Sequence, residues 1–384
     1  MHIGFDITAL SVPQSGVGTY SLNLFRQLAA EPTHRITPLF HRPLHPQAQL
    51  PVWVHDHGPQ RGMINKTLWM QLMLPWQLRR CGVELAHFTN SVAPLAMQCP
   101  SIVTVHDMTL WLFPEHHYRR RLLAMRPLIP LVVRRAAAVI TVSQSAKDDL
   151  VRLLDIPEAK VHVIYEAPAE EFRPLALTDP RLETIRRRYG LPERFLLYVG
   201  TIEPRKNLVR LLEAFADFRA RHQSDHHLLL VGSRGWKETA VFKAIERLGL
   251  RTWVHCLDFV PLDDLIVLYN LADAVAFPSL YEGFGLPVVE AMACGTPVIT
   301  SDSGSLGEVA GDAACVVDPL SVPSIGAGLG RVLLQRDYRD WLRARGKALV
   351  AEFTWQRSAA ETLALYERVL SPNKKEAQLR LQKQ

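Results

Sequence analysis

The sequence predicts an α/β protein in which one parallel-sheet architecture is used twice. Three observations carry that prediction. The chain has 384 residues, more than one ordinary hydrophobic core organises, so about two domains are expected. Short apolar runs alternate with helical stretches almost throughout, the signature of βαβ units. The alternation breaks at a proline-bearing stretch, Pro168 to Pro180, and then restarts.

In the first half the strand candidates are 3–8, 36–40, 85–88, 101–105, 138–142 and 161–164, each bounded by polar or turn residues. Helical periodicity lies between them, as from Tyr20 to Ala29 and from Ser145 to Leu154. After the break come strands 195–200 and 228–232, each ending in Gly, and further strands at 253–256, 274–277, 297–300 and 314–317. Leu208 to Arg219, Asp263 to Ala272 and Pro287 to Ala293 read as helices. Trp355 to Leu370 is an amphipathic helix with Ala359, Leu363, Tyr366 and Leu370 spaced for one face. The expected domains are 1–172 and 173–354, with the helix at 355–370 packing back on the first and a flexible basic tail at 371–384.

Composition narrows the class. Apolar residues make up 48% and charged residues 21%, as in ordinary globular proteins. No run approaches the ~18 apolar residues of a spanning helix. The chain starts directly on the apolar strand Ile3 to Ile7, without a basic leader region. A cytoplasmic protein is therefore expected. The five cysteines, at 81, 99, 256, 294 and 315, are far apart and form no CxxC pair, which argues against a disulfide framework or a structural zinc site. Residues 1–135 hold 13 Lys/Arg against 6 Asp/Glu, or +7 of the total +6, so the remainder sums to −1. That asymmetry points to an anionic partner for the first half, nucleic acid or acidic lipid, or to a solvated basic face.

The most specific string runs from Pro278 to Pro297, PSLYEGFGLPVVEAMACGTP. It follows a strand and leads into a helix beginning near Pro287, a residue suited to the first helical turn. Gly283 and Gly285 allow close backbone approach to a ligand, and free amides at a helix start favour anions or hydroxyl-rich groups. Glu282 on the loop and Glu290 on the helix address different parts of that ligand. A second string, Val199 to Leu208, puts adjacent cations Arg205 and Lys206 between a strand and a helix. A guanidinium fork beside an ammonium suits a pyrophosphate, whereas cations at a helix start oppose the helix dipole and so need a purpose. Gly16 and Gly18 lie between the first strand and the first helix, where their amides could meet phosphate. Ser21 stands where a dehydrogenase fingerprint needs its third Gly, and no Walker Lys follows. His106-Asp107 ends the strand 101–105, at the sheet edge that faces the crevice in open α/β folds.

These strings resemble the family 4 retaining glycosyltransferases, whose signature region carries two glutamates eight positions apart. The resemblance covers nearly the whole chain. It implies the GT-B fold: two Rossmann-like domains facing across a deep cleft, acceptor-binding first and nucleotide-sugar-binding second. It gives Glu282 and the amides of Phe284, Gly285 and Leu286 to the transferred sugar, Glu290 to the ribose, and Gly283 a place in the donor site. Arg205 and Lys206 become the leaving-group clamp, Gly16 and Gly18 part of the donor site, and His106 a contact of the transferred sugar. Asp107 is given acceptor orientation or activation, and Phe259 a place near the nucleotide base. No metal or other cofactor is implied.

Together, Glu-Gly-Phe-Gly-Leu-Pro and Thr-Ile-Glu-Pro-Arg-Lys-Asn resemble bacterial mannosyltransferases of surface-polysaccharide or lipopolysaccharide assembly. That implies GDP-mannose as donor and a glycan or polyprenyl-diphosphate-linked acceptor, with a UDP-hexose as the alternative donor. A silent sugar-nucleotide-binding protein, an epimerase, a glycan phosphorylase and a nucleic-acid binder are weaker alternatives. Tyr165-Glu166-Ala167 departs from the family's commoner Asn-Gly pair. Leu68 to Arg80 and Tyr118 to Leu123 place aromatics beside arginines, as at an anionic membrane surface or on core helices with basic ends. The first of these readings makes the protein peripheral on the inner face of the plasma membrane. Residues 44–65 read as a variable acceptor-side loop.

Overall fold

The computed structural model describes residues 1–12, 15–46, 48, 50, 53–54 and 65–371. The tail from residue 372 and most of the loop between Leu44 and Asn65 lie outside them, as does Gln14. The chain forms two compact units, Met1–Glu166 together with the chain from Thr354, and Ala167–Phe353.

The first unit is a six-stranded sheet in the order β2-β1-β3-β4-β5-β6, parallel at every pairing. Its strands are β1 His2–Asp6, β2 Arg35–Leu39, β3 Leu85–Phe88, β4 Ser101–Val105, β5 Ala138–Thr141 and β6 Val161–Val163. Strands β3, β4 and β5 are buried along their whole length, so they read as continuous apolar runs without alternation. Trp69, Met70, Leu74, Leu78, Ile129 and Val133 pack with them in one core.

The helix Trp355–Leu370 belongs to this unit. Its buried face is Trp355, Ser358, Ala359, Thr362, Leu365 and Tyr366. Leu363 and Leu370, expected on that face, are only half-buried. Two buried positions are polar, which shifts the stripe from the apolar pattern. Both hydroxyls are satisfied by backbone carbonyls: Ser358 donates to Tyr165 at 2.7 Å and Thr362 to Ser358 at 2.7 Å.

The second unit is also six parallel strands, in the order β12-β11-β10-β7-β8-β9. They are β7 Phe195–Val199, β8 His227–Val231, β9 Val254–Leu257, β10 Ala274–Phe277, β11 Val298–Thr300 and β12 Cys315–Val316. Counted within the unit, this is the order 6-5-4-1-2-3, that of a dinucleotide-binding α/β sheet. Its core is aliphatic and aromatic, with Phe195, Phe215, Phe218 and Phe277 essentially inaccessible.

Candidate active site

Strand order decides where a ligand can sit on the second unit. The chain runs outward through β8 and β9, then returns to the other side of β7 as β10. The connections after β7 and β10 therefore part to opposite sides, leaving a crevice at the carboxyl ends of those strands. Gly200–Lys206 follows β7 and Pro278–Gly285 follows β10. Both strings singled out in the sequence thus converge at one switch point.

They are bonded together there. The Leu280 amide donates to the Arg205 carbonyl at 2.9 Å, and Asn207 Nδ2 donates to the Pro278 carbonyl at 3.0 Å. Asn207 adopts the left-handed conformation, φ 61°, that turns the chain from the cationic turn Pro204–Lys206 into the helix Leu208–His222. Arg205 Nη1 donates to Glu282 Oε2 and to the Tyr281 carbonyl, both at 2.6 Å, and Nη2 to Glu203 Oε1 at 2.7 Å. Lys206 Nζ donates to Glu282 Oε1 at 2.6 Å and lies 5.0 Å from the centre of the Phe277 ring.

Four buried or nearly buried charges thus form a balanced cluster of two cations and two carboxylates. Burial alone would raise the Glu282 pKa, but Arg205 and then Lys206 reverse this and hold it at about 2. Lys206 moves down, because burial and the neighbouring Arg205 outweigh the pull of Glu282 and Glu203. An ammonium in that state gains from any further anion brought to it. Its three N–H donors leave capacity beyond the bond to Glu282.

The loop carrying Glu282 is fixed from a third segment. Ser301 Oγ donates to the Ser279 carbonyl at 2.6 Å, and Ser305 Oγ to the carbonyls of Glu282 and Phe284 at 3.1 and 2.9 Å. Gly304, φ 64°, lies so close that a Cβ there would meet the Glu282 carbonyl oxygen at 2.6 Å. Gly285 has φ 100° and forms the N-cap of the helix Leu286–Ala293. The amides of Gly285 and Leu286 open that helix, where partial positive charge collects. One turn on, Glu290 is buried and accepts from Tyr269 Oη at 2.8 Å. Burial and the adjacent Glu290 push the Tyr269 pKa well up, so the phenol stays a donor. Phe259, after β9, is exposed.

In the first unit, His106 follows the carboxyl end of β4. Its Nδ1 lies 3.0 Å from Glu166 Oε1 and its Nε2 2.9 Å from the Thr89 carbonyl oxygen. The Tyr20 ring meets it edge-on at 4.8 Å. Burial opposes its charge, but the bond to Glu166 and that carboxylate's charge raise its pKa overall. Asp107 Oδ1 accepts from the Thr109 amide at 2.9 Å and from the Thr109 hydroxyl at 2.5 Å, so it closes the turn that follows. Gly16 and Gly18 are not on a connecting loop. The helix Gly16–Ala30 begins at Gly16, and Ser15 caps it by accepting from the Gly18 amide at 3.2 Å. Two glycines mask a helix start because their intrinsic helix propensity is poor, and the Ser15 cap compensates.

The sequence assigned no role to Glu203, Tyr269, Ser305 or Glu166. Tyr269 and Ser305 contact site residues 21 to 23 positions away, separations that no local motif reveals. Glu203 lies two residues from Arg205 in the string already singled out, and the adjacency of acid and base was the available signal.

Comparison with known proteins places the chain in a family. The family model described as Glycosyltransferase Family 4 matches residues 14–167, and that described as Glycosyl transferases group 1 matches residues 183–349. The chain is 30% identical over 95% of its length to the O-antigen chain mannosyltransferase B of Escherichia coli, covering 99% of that protein. In fold it resembles sucrose-phosphate synthase from Thermosynechococcus elongatus, with TM-score 0.75 at 21% identity over 97% of this chain and 99% of the other. It also resembles Anabaena HepE, solved in complex with UDP and glucose, with TM-score 0.75 at 20% identity over 94% and 99% of the two chains. Two matched family models, a full-length relative at that identity and two parallel α/β sheets identify this chain as a member of the family 4 glycosyltransferases, an enzyme of the GT-B fold related to O-antigen mannosyltransferases.

Proposed function

We propose that the protein transfers mannose from GDP-mannose, with retention at the anomeric carbon, to a glycan or polyprenyl-diphosphate-linked acceptor in surface-polysaccharide assembly. The observation that carries this is the cluster at the β7/β10 switch point. Arg205, Lys206 and Glu282 meet there beside the helix start at Gly285–Leu286. As the glycosidic bond breaks, negative charge grows on the diphosphate. Two preorganised cations in a poorly solvated site stabilise that charge more than they stabilise the ground state. Lys206, whose pKa burial already lowers, gains most from the arriving anion. In this reading Glu282 and the amides of residues 284–286 hold the sugar, Glu290 the ribose hydroxyls, Phe259 lies near the base, and His106 serves the sugar. Mannose is favoured over other hexoses by the likeness to a mannosyltransferase along 95% of the chain.

The test is ligand-induced thermal stabilisation by GDP, UDP, GDP-mannose and UDP-glucose, with and without chelator. A ligand at about 100 times its dissociation constant adds about 2.7 kcal/mol of stability. Stabilisation by the guanine nucleotides and not by the uridine ones supports the reading. The reverse order replaces the donor with a UDP-hexose.

We further propose peripheral contact with anionic membrane. One face of the helical stretch 66–80 packs Trp69, Met70, Leu74 and Leu78 into the core. The opposite face exposes Leu68, Leu72 and Trp76, with the Arg80 guanidinium 5.2 Å from the Trp76 ring. On Arg119–Arg135, Leu123 is 79% exposed beyond Tyr118, which Arg120 overlies at 5.5 Å. Apolar anchors beside guanidinium groups match an acidic lipid surface. Among the described residues, no helix is long and apolar enough to cross a membrane.

A further inference from the structure

The His106–Glu166 pair has an unusual donor balance. A histidine with one proton pairs one ring nitrogen with an acceptor and the other with a donor. Here both partners are acceptor groups: the Thr89 backbone carbonyl at Nε2 and the Glu166 carboxylate at Nδ1. The neighbourhood is built to keep this arrangement. The Glu166 side chain is 5% exposed and that of His106 14%. Ser358, on the helix Trp355–Leu370, donates to the carbonyl of Tyr165 and so fixes the backbone just before Glu166. Tyr20 closes over the ring edge-on, and is itself held by Trp355 at 6.0 Å and by Thr104 at 3.0 Å. Thr104 in turn pairs with His87, which also pairs with Tyr366.

We propose that Glu166 is a positioning residue for the transfer reaction, holding His106 as an imidazolium with both N–H groups committed, so that the ring offers shape and charge to the substrate and does not accept a proton from the acceptor hydroxyl. This rests on the reading that His106 serves the transferred sugar. It assigns a role to Glu166, the residue at which this chain departs from its family's usual Asn-Gly pair. The titratable groups around His106 are Glu166 in the segment that follows β6, Asp107 beside it, His87 on β3 and Tyr20 on the first helix. Glu166 and Asp107 favour the charged ring, and burial opposes it. Burial keeps His87 neutral, with a pKa of about 3, so it adds no competing charge at working pH.

Two measurements test the proposal, and they separate its failure from failure of the mannosyl-transfer assignment. The first needs no substrate. In nitrogen-15 histidine spectra, His106 of the wild type should remain doubly protonated through pH 7, above the usual histidine value near 6.5. In Glu166→Gln it should titrate at or below that value. A neutral His106 at pH 7 in the wild type overturns the proposal, whatever the enzyme's substrate. The second is the pH profile of kcat/KM with whichever nucleotide sugar the enzyme turns over. The wild type should show no limb near pH 6.5. Glu166→Gln should approach it only towards acid pH and fall by at least about tenfold between pH 6 and pH 8, as an unassisted imidazolium loses its proton. Glu166→Asp should restore part of the wild-type profile. An unchanged profile in Glu166→Gln, with donor binding intact, removes Glu166 from the reaction and leaves it a structural residue.

Discussion

Glu282 shows how far one residue's environment decides its chemistry. Its carboxylate is buried between Arg205 and Lys206, and its pKa is depressed to about 2 from an ordinary 4.5. A depressed carboxylate stabilises the fold fully above its unfolded value. That contribution, on the order of 3 kcal/mol for a shift of this size, is lost as pH falls from about 4.5 towards about 2. Acid unfolding followed by circular dichroism should therefore be shallower in Glu282→Gln than in the wild type across that window. Equal acid sensitivity would show that the cluster's charges do not couple to folding. Glu290 differs. Its carboxylate accepts from the neutral phenol of Tyr269, and its assigned task is binding. Glu290→Ala should raise the nucleotide dissociation constant about ten- to a hundredfold, the size of one or two lost hydrogen bonds to a charged group, with kcat changing less. Titration calorimetry with GDP checks this, and a large kcat loss at unchanged affinity would reverse the two glutamates' roles. Both glutamates were legible as residue types at a spacing. That Glu282 is neutralised by Arg205 and Lys206 was not, because their pairing spans 76 and 77 positions.

At the scale of elements, strands buried on both faces gave the strongest sequence signal, and β3, β4 and β10 have the bounds that their apolar runs predict. Helices were legible where apolar spacing was regular. Trp355–Leu370 has the bounds its periodicity predicts, although its buried face includes Ser358 and Thr362. Several helices went unread, and for three of them composition gives the reason. Arg119–Arg135 carries Pro127 and Pro130, which interrupt the helical signal and remove backbone donors. Val322–Leu334 contains Gly326, Gly328 and Gly330, and Gly328 is needed because a Cβ there would meet Val317 at 2.5 Å. Pro180–Tyr189 starts on the last proline of the irregular stretch, and its Asp179 cap marks the start. The Gly285 turn makes the sharpest element-level prediction. With φ 100° and a Cβ position 2.7 Å from Leu306 Cδ2, Gly285→Ala should lower stability by about 1–3 kcal/mol and loosen donor binding. Denaturant titration measures the first effect. A Gly285→Ala protein of unchanged stability would mean that the loop before Leu286 relaxes freely.

For the whole molecule, the two-sheet organisation followed from pattern alone, while its exact division did not. The compact units meet in sequence at Glu166/Ala167 and Phe353/Thr354. The proline stretch from 168 had placed the first border six residues later, because prolines mark irregular backbone and not necessarily a change of domain. The basic first half makes a prediction of its own. If the Leu68–Leu72–Trp76 face docks on membrane, Trp76→Ser with Arg80→Glu should abolish co-flotation with phosphatidylglycerol vesicles. Wild-type protein should float with these and not with phosphatidylcholine alone. Flotation unaffected by the double substitution would move the contact to another surface.

The most direct test of the whole account is turnover by Glu282→Gln. Transfer of mannose from GDP-mannose should be measured for the wild type and this variant at saturating donor, with GDP affinity measured in parallel to show an intact fold. The cluster geometry predicts a fall in kcat on the order of 10²–10³, the effect of losing a charged group that organises transition-state stabilisation. Near-normal turnover in a folded, nucleotide-binding Glu282→Gln would contradict the assignment of the Arg205–Lys206–Glu282 cluster as the catalytic centre.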